Sequence, residues 1–332
     1  LAASIVCPIE TDLLNVPQLS DVDASLRILR SLGCTAQQQE NDVYIDSHAL
    51  YSSQIPHSMM ESMRSSVLFM GALLARCGEA RLTLPGGCKL GARPIDMHLD
   101  AMKALGAKIE ENGCEIICTA PKLTGTDIRL PYPSVGATEN AMIAACAAEG
   151  ETVIVGAARE PEIEDLQEYL RKAGAYISGA GTGTIRISGF EPESHVGHRI
   201  IPDRIASATF LCAAAATGGD IELRGVDLRQ FSRLQHFLKQ SGCDIISSRR
   251  SVRLISDGKL SSAGRVSTGP YPEFPTDMQS ILMAVLLTVP GESWIEETIF
   301  EKRFQIVEEL EKMGGRVTVS GRQAVISGGR QL

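Results

Sequence analysis

The stretch Leu166-Gln-Glu-Tyr-Leu-Arg-Lys-Ala-Gly-Ala175 shows the unit from which this chain is built. Leu166, Leu170 and Ala173 recur at helical spacing, so they form the apolar stripe of an amphipathic helix. Gly174 supplies the left-handed backbone conformation that ends such a helix, and a strand follows from Ala175. The stretch therefore predicts a helix, a glycine stop and a strand in succession.

The same helix ending occurs five times along the chain. Successive glycines at these endings are 73, 68, 68 and 72 residues apart: Gly33, Gly106, Gly174, Gly242 and Gly314. Earlier in each unit a helix carries small residues on most faces, which predicts burial and close approach by its neighbours. These helices are residues 65–77, 139–148, 203–217 and 276–289, with a fragment of the first copy at residues 1–7. The repeat predicts a unit of buried helix, strand, amphipathic helix and strand pair.

Helices alternate with strands throughout the chain, which indicates an α/β fold. Repeats with sheets outside and small-residue helices inside do not match a doubly wound Rossmann sheet, and no Gly-x-Gly-x-x-Gly motif opens a helix. Residues 189–202 break the composition of the repeats with Glu-Pro-Glu-Ser-His. We therefore predict two domains, residues 1–201 and 202–332, with residues 189–202 crossing between them.

Composition excludes several classes of protein. The 332 residues carry a formal net charge of -8, without the basic surface that nucleic-acid binding requires. The longest apolar stretches, such as residues 281–290, are far short of the roughly 20 residues that cross a membrane. Nine cysteines in no regular framework favour a reducing compartment, so we expect a cytoplasmic protein. Leu1 is not an initiator methionine and no signal peptide is visible, so we expect the gene to begin upstream.

One cysteine has surroundings suited to chemistry. Cys88 lies in the stretch Pro85-Gly-Gly-Cys-Lys-Leu-Gly-Ala-Arg-Pro-Ile-Asp96, where glycines give a flexible loop. Lys89 and Arg93 add positive charge, which favours a thiolate. The alternative is a buried structural cysteine, which is our prediction for the other eight.

Three more candidates have two interpretations each. Asp277 is either a carboxylate stabilised at a helix start, beside a capping box formed by Thr276 and Gln279, or a catalytic group. Arg64 and Arg93 are either solvated surface cations or phosphate ligands, because the guanidinium fork matches a phosphoryl group.

Two other features are interpreted as structural. His195 and His198 have no acidic or cysteine ligand beside them, so we predict no metal site. Trp294 is predicted to lie in the core rather than to serve as a stacking platform.

Five further stretches accompany the Cys88 loop: Ser62-Met-Arg-Ser65, Ser134-Val-Gly-Ala-Thr-Glu-Asn140, Ala158-Arg-Glu-Pro-Glu-Ile163, Phe274-Pro-Thr-Asp-Met-Gln279 and Glu297-Thr-Ile-Phe-Glu-Lys-Arg303. In this order the stretches resemble those of bacterial UDP-N-acetylglucosamine enolpyruvyl transferases (1-carboxyvinyltransferases), of the EPSP synthase superfamily. The resemblance covers nearly the whole chain. It implies an inverse α/β barrel of two domains built from repeated βαβαββ units, five of an expected six being present. Residues 1–201 would hold three repeats and the catalytic cysteine loop, and residues 202–332 an incomplete domain of two.

The resemblance implies an enzyme. The transferase would move the enolpyruvyl (carboxyvinyl) group of phosphoenolpyruvate to the 3′-hydroxyl of UDP-N-acetylglucosamine and release phosphate. This first step of peptidoglycan synthesis serves cell-wall biogenesis, cell shape and cell division. By the same resemblance Cys88 protonates C3 of phosphoenolpyruvate, and Asp277 helps to deprotonate the sugar hydroxyl. The two substrates are the partners implied, with no metal, cofactor, nucleic acid, membrane or obligate protein partner.

The resemblance also implies a substrate-binding set. Its members meet the phosphates, line the uridine and diphosphate site, or lie against the sugar. They are Arg64, Arg93, Pro94, Ile95, Asp96, Met97, Tyr132, Pro133, Ser134, Val135, Gly136, Ile299 and Arg303. Tyr132 stands where the family commonly has a basic residue.

The chain departs from the family at both ends. Members begin with a further strand and a Lys-Asn pair whose lysine contacts phosphoenolpyruvate, and they end with a sixth unit that carries two active-site arginines. Three interpretations therefore stay open. The chain is a transferase whose ends are absent from this sequence, a truncated inactive paralogue that only binds UDP-sugar, or an EPSP synthase, which the cysteine loop and nucleotide segment disfavour.

Overall fold

The computed structural model describes residues 1–86, 95–262 and 264–329. The described residues form two compact units, one ending at Ile201 and the other beginning at Pro202. Each unit has a hydrophobic core of its own. Cys88, Arg93 and Pro94, which the sequence singles out, lie outside the described residues.

The described part of the first unit contains three sheets. In order across each sheet, the strands are His195–Arg199, Glu10–Leu14, Asp42–Asp46 and Thr35–Gln39; Glu79–Thr83, Glu115–Thr119 and Lys108–Asn112; and Asp127–Arg129, Thr152–Val155, Thr184–Phe190 and Ala175–Ser178.

The first sheet shows how the strands of a repeat are connected and paired. Glu10 pairs in parallel with His195 and antiparallel with Asp46. The strand pair after the amphipathic helix is a hairpin in which Thr35 also pairs antiparallel with Asp46, so its second strand returns beside the first strand of the repeat. The third sheet has the same arrangement, with one parallel and two antiparallel pairings. The predicted succession of strand, helix and strand pair is therefore confirmed.

The helices of the first unit are of two kinds, as the sequence predicts. Amphipathic helices cover the sheets, whereas small-residue helices lie in the core. The α-helices are Ser20–Ser31, His57–Met60, Phe69–Cys77, Asp96–Ala104, Val135–Ala145 and Pro161–Lys172, and the 3-10 helices are Ala2–Ile5 and Arg64–Leu68. The five repeat glycines all have positive φ, between 94° and 112°, as helix endings of this kind require.

Two core helices of the first unit touch at a glycine. The backbone N–H of Gly71 donates to Oδ1 of Asn140 at 2.7 Å. A Cβ atom at Gly71 would come within 2.6 Å of the Asn140 carbonyl oxygen, so a larger residue does not fit there. This close approach explains the small residues that the sequence places on these helices.

The second unit repeats the pattern twice in its described part. Its strands, in sheet order, are Asp220–Arg224, Ser251–Ile255 and Asp244–Ser247, and then Arg265–Ser267, Gly291–Glu296, Gln323–Gly328 and Val317–Ser320. Its α-helices are Arg204–Thr217, Ser232–Gln240, Gln279–Thr288 and Ile306–Lys312, with 3-10 helices Leu228–Phe231, Thr276–Met278 and Arg303–Gln305. Asp203 caps the first of these α-helices, because its Oδ1 accepts from the N–H groups of Ile205 and Ala206 at 2.7 and 3.0 Å.

The prediction that Trp294 lies in the core is wrong. Trp294 is 39% exposed, while its neighbours Ser293 and Ile295 are buried. Side chains alternate across a strand, and the inward positions of this strand belong to those two neighbours.

One other expectation also needs correction. Cys77 and Cys114 are exposed, so the prediction of buried structural cysteines fails for these two. The predicted crossing at residues 189–202 contains the strand His195–Arg199 of the first sheet, and its role as a crossing stays a prediction.

Candidate active site

A helix start in the first unit presents backbone N–H groups. The helix Val135–Ala145 begins after Ser134, whose Oγ accepts from the N–H of Ala137 at 3.4 Å and so caps it. The first N–H groups of a helix have no intrahelical acceptor and carry partial positive charge. Val135 and Gly136 therefore offer donors to an anion.

The hydroxyl of Thr138 supports this helix start. It donates to the Ser134 carbonyl at 2.8 Å and accepts from the backbone N–H of Ala158 at 3.0 Å. Ala158 opens the stretch Ala-Arg-Glu-Pro-Glu-Ile that the sequence analysis singles out. Two of the sequence motifs thus meet here, and the second one braces the first.

His98 lies directly against the helix start, and the sequence analysis missed it. A Cβ atom at Gly136 would be 3.0 Å from His98 Cε1 and 3.3 Å from Nε2, so the glycine makes room for the imidazole. Burial, with a smaller contribution from the charge of Arg64, lowers the pKa of His98 from 6.5 to about 4. The ring is therefore neutral at pH 7.

The hydrogen bonds of Asn140 decide which ring nitrogen of His98 carries the proton. Oδ1 of Asn140 accepts from Gly71, and Nδ2 donates to the carbonyl of Val67 at 3.0 Å. Nδ2 also lies 3.1 Å from His98 Nδ1, which must then be the acceptor. The proton sits on Nε2, so His98 adds a neutral donor beside Gly136. Asn140, a polar residue in a small-residue helix, is the sequence signal that could have found this network.

Arg64 is a cation whose charge reaches this network. Its charge acts on the His98 pKa, and its Nη1 donates to the Pro85 carbonyl at 3.5 Å. The charge of Arg64 is thus felt at His98, beside the Ser134 to Gly136 helix start, and its role as a phosphate ligand stays a prediction.

The other predicted substrate-binding residues of the first unit differ in how far they are exposed to solvent. Ile95 is buried and Met97 half-buried, whereas Asp96 is exposed in the first turn of its helix. Tyr132 is exposed and Pro133 half-buried, just ahead of the helix start.

In the second unit Asp277 is paired with Arg303. Nη2 of Arg303 donates to Asp277 Oδ1 at 2.8 Å, and Nε donates to the carbonyl of Thr276 at 3.2 Å. The arginine side chain is 13% exposed and the aspartate side chain 54%. The guanidinium also lies 5.9 Å from the ring centroid of Phe300. The structure thus brings two predicted site residues together and leaves the carboxylate accessible.

The predicted capping box of Thr276 and Gln279 is wrong. Residues Thr276–Met278 form a 3-10 turn without a side-chain cap. The Thr276 hydroxyl donates instead to Oε2 of Glu297 at 2.9 Å, and both polar side-chain atoms of Gln279 are buried without a hydrogen-bond partner. A distant carboxylate has displaced the local contact that the sequence pattern predicts.

His195 and His198 point to opposite faces of their strand. Nε2 of His195 lies 2.9 Å from Asp12, whereas Nε2 of His198 lies 3.0 Å from Asp165. No group of three or more metal-ligating side chains occurs within residues 1–86, 95–262 and 264–329. The same ranges contain no helix that is long and apolar enough to traverse a bilayer.

The whole chain, residues 1–332, matches the family model described as EPSP synthase (3-phosphoshikimate 1-carboxyvinyltransferase). This chain is a member of the EPSP synthase family. Within that family it is 45% identical over 334 residues to the UDP-N-acetylglucosamine 1-carboxyvinyltransferase 2 of Carboxydothermus hydrogenoformans, with 100% of this chain and 80% of that protein covered. It is 44% identical over 332 residues to the UDP-N-acetylglucosamine 1-carboxyvinyltransferase of Finegoldia magna, with 99% and 78% covered.

The structure of the chain also resembles solved structures of an enolpyruvyl transferase and an EPSP synthase. The enolpyruvyl transferase NikO from Streptomyces tendae superposes with a TM-score of 0.89 at 23% identity, covering 99% of this chain and 78% of that one. An EPSP synthase from Acinetobacter baumannii gives a TM-score of 0.73 at 22% identity, covering 98% and 79%. At such identities the likeness concerns the fold, and it confirms the fold class predicted from the repeats.

Proposed function

We propose that this chain transfers the carboxyvinyl group of phosphoenolpyruvate to the 3′-hydroxyl of UDP-N-acetylglucosamine, with release of phosphate. The observation that carries the proposal is the helix start at Ser134 to Gly136 with the neutral imidazole of His98 beside it. It offers backbone and side-chain donors together, which suits a diphosphate. Relatives at 42% to 45% identity named UDP-N-acetylglucosamine 1-carboxyvinyltransferase support the same acceptor.

The diphosphate is proposed to accept hydrogen bonds from the N–H groups of Val135 and Gly136 and from His98 Nε2. Arg64 and Arg93 supply the positive charge that the phosphate groups require. Uridine is proposed to contact two predicted segments. The first is Pro94, Ile95, Asp96 and Met97, and the second is Tyr132 and Pro133. Ile299 lies against the sugar nucleotide in this proposal, and Arg303 holds Asp277.

The proposed chemistry is addition followed by elimination. Asp277 takes the proton of the sugar 3′-hydroxyl while the 3′-oxygen attacks C2 of phosphoenolpyruvate. At the same time the Cys88 thiol delivers a proton to C3. In the elimination step the Cys88 thiolate takes a proton back from C3 as the bond between C2 and the phosphate oxygen breaks, which restores the double bond in the carboxyvinyl ether. The leaving phosphate takes the proton held by Asp277, so both side chains return to their starting states. No electrons leave or enter the substrates, so these steps need no redox cofactor, and the proposal includes no metal ion.

The product would enter peptidoglycan synthesis, and hence cell-wall biogenesis, cell shape and cell division. We place this step in the cytoplasm, where phosphoenolpyruvate and the nucleotide sugar are formed. The proposal needs no protein partner.

The test is phosphate release by the full-length protein with both substrates. We expect turnover with UDP-N-acetylglucosamine and none with shikimate 3-phosphate as the acceptor. Cys88→Ala and Asp277→Asn should each lower kcat by about 10²- to 10⁴-fold, the usual contribution of a positioned acid or base. Cys88→Asp should keep part of the activity, because a carboxylic acid also donates a proton.

Other outcomes select the alternatives. Unchanged turnover in Cys88→Ala would remove the proton-donor role. Calorimetric binding of UDP-N-acetylglucosamine without phosphate release would identify a binding module, and release with shikimate 3-phosphate alone would identify an EPSP synthase.

A further inference from the structure

Glu297 is a buried carboxylate, 1% exposed, directly after the strand Gly291–Glu296. Its Oε1 accepts from the backbone N–H groups of Ile299 and Phe300 at 2.8 and 3.1 Å. Its Oε2 accepts from the Thr276 hydroxyl at 2.9 Å. A buried carboxylate needs such donors in place of water. Here the donors come from two segments of the chain, on either side of Glu297.

These contacts join the residues proposed to act on the sugar nucleotide. Thr276 immediately precedes Asp277, and its carbonyl accepts from Arg303, which also holds the Asp277 carboxylate. One oxygen of Glu297 thus reaches Asp277 through Thr276, and the other holds the backbone of Ile299.

The Thr276 hydroxyl binds Glu297 instead of stabilising the start of the helix that follows it. A threonine at this point ordinarily caps the helix that follows. Here no side chain caps the turn Thr276–Met278 or the helix Gln279–Thr288, and the Gln279 side chain is left buried without hydrogen bonds. Departures of this kind from local rules are expected where function constrains a position.

We propose that Glu297 is a positioning residue for the transfer reaction: it sets the Asp277 carboxylate through Thr276 and the Ile299 backbone directly. The assignment rests on the proposed function of Asp277 and Ile299. A general base must reach its proton within about 2.6–3.2 Å, and a misplacement of about 1 Å can cost about 10²-fold in rate. The Thr276 link therefore governs kcat, and the backbone link governs KM for UDP-N-acetylglucosamine.

The first arm of the test separates these two links. Thr276→Val keeps the side-chain shape and removes the hydroxyl, so kcat should fall by about 10-fold while KM for UDP-N-acetylglucosamine stays within about twofold. Thr276→Ser keeps the hydroxyl and should keep kcat within about twofold. Activity is expressed per folded molecule, with near-UV circular dichroism as the measure of folding.

The second arm changes the carboxylate itself. Glu297→Gln retains an oxygen for the two backbone N–H groups, and its amide can donate to the Thr276 hydroxyl, so most activity should remain. Glu297→Ala loses both links, so kcat should fall and KM should rise together. Recovery by glutamine but not by alanine distinguishes positioning from a need for negative charge.

Thr288→Val is the matched control. Thr288 is the last residue of the helix Gln279–Thr288, and its hydroxyl donates to the Val285 carbonyl at 2.8 Å. The chemical change therefore equals that in Thr276→Val. The kcat of Thr288→Val should equal that of the wild type.

The failure of this inference differs from a failure of the proposed function. If the wild type turns over and Asp277→Asn is impaired, but Thr276→Val matches Thr276→Ser in kcat, then positioning by Glu297 is overturned. If the wild type releases no phosphate, the proposed function fails instead. In that case calorimetry tests the role of Glu297 separately. If the Glu297→Ala variant binds UDP-N-acetylglucosamine as tightly as the wild type, that role is overturned too.

Discussion

His98 owes its charge state to residues far away in the sequence. Burial against the helix start lowers its pKa to about 4, and Asn140 fixes its Nδ1 as an acceptor. With a pKa of about 4, this donor next to Gly136 stays neutral between pH 6 and 8, the form in which it would meet the proposed anion. At the scale of one residue, the charge state of the proposed anion site is therefore set by packing rather than by the ordinary pKa of histidine.

The same side chain makes stability depend on pH. The pKa of His98 is depressed in the folded state, so its contribution to stability is present above pH 6.5 and is lost as pH falls toward 4. Between pH 7 and pH 5 the wild type should lose about 2 kcal/mol more free energy of unfolding than His98→Gln, which carries no titrating ring. Urea unfolding of both proteins at the two pH values measures this difference. Equal pH dependence in the two proteins would contradict the assignment.

The contact between the helices Phe69–Cys77 and Val135–Ala145 links the core to this site. Gly71 allows Asn140 to approach closely, and Asn140 in turn holds His98. A polar side chain in the core is stable here because its donors and acceptor are all paired. At the scale of elements, helix packing and the proposed anion site thus depend on one glycine.

Gly71→Ala is expected to destabilise the protein by about 3 kcal/mol, because the new methyl group collides with Asn140 and breaks its hydrogen bond. Gly197→Ala is the control, since a Cβ there has no heavy atom within 4 Å. Its free energy of unfolding should stay within about 0.5 kcal/mol of the wild type. Denaturant unfolding measures both variants, and equal stability of the two would show that the close helix contact does not form.

At the scale of the molecule, the described residues have two separate cores. The buried apolar residues of the first unit form one cluster and those of the second unit another. Each core joins the sheets and helices of its own repeats. The predicted division into domains at residues 201 and 202 stays a prediction, including the incompleteness of the second domain.

Leu286→Ala should therefore weaken the second unit selectively. Leu286 is 1% exposed, and its truncation should cost about 2–5 kcal/mol in that core. Amide hydrogen exchange should accelerate in the helices Arg204–Thr217 and Gln279–Thr288. Leu29→Ala, in the other core, should accelerate exchange in the first unit. Uniform acceleration across both units by either variant would refute separate cores.

Periodicity and glycine placement were enough to predict the repeats and the α/β class, because apolar spacing and helix endings are local properties of each repeat. The motifs were enough to predict the family, which the comparisons confirm. Trp294 shows the limit: which face of a strand is buried depends on what packs against it. Thr276 shows another, since a capping pattern describes only neighbours in sequence and Glu297 lies 21 residues away.

The sequence by itself determined the repeating unit, the helix endings and the identity of the candidate residues. Local backbone preference and apolar spacing are properties of short segments, so they are readable without contacts. Only the tertiary structure decided which nitrogen of His98 is protonated, the pairing of Asp277 with Arg303 and the hydrogen bond between Glu297 and Thr276. Those depend on burial and on hydrogen bonds between distant segments, which exist only after the chain has folded.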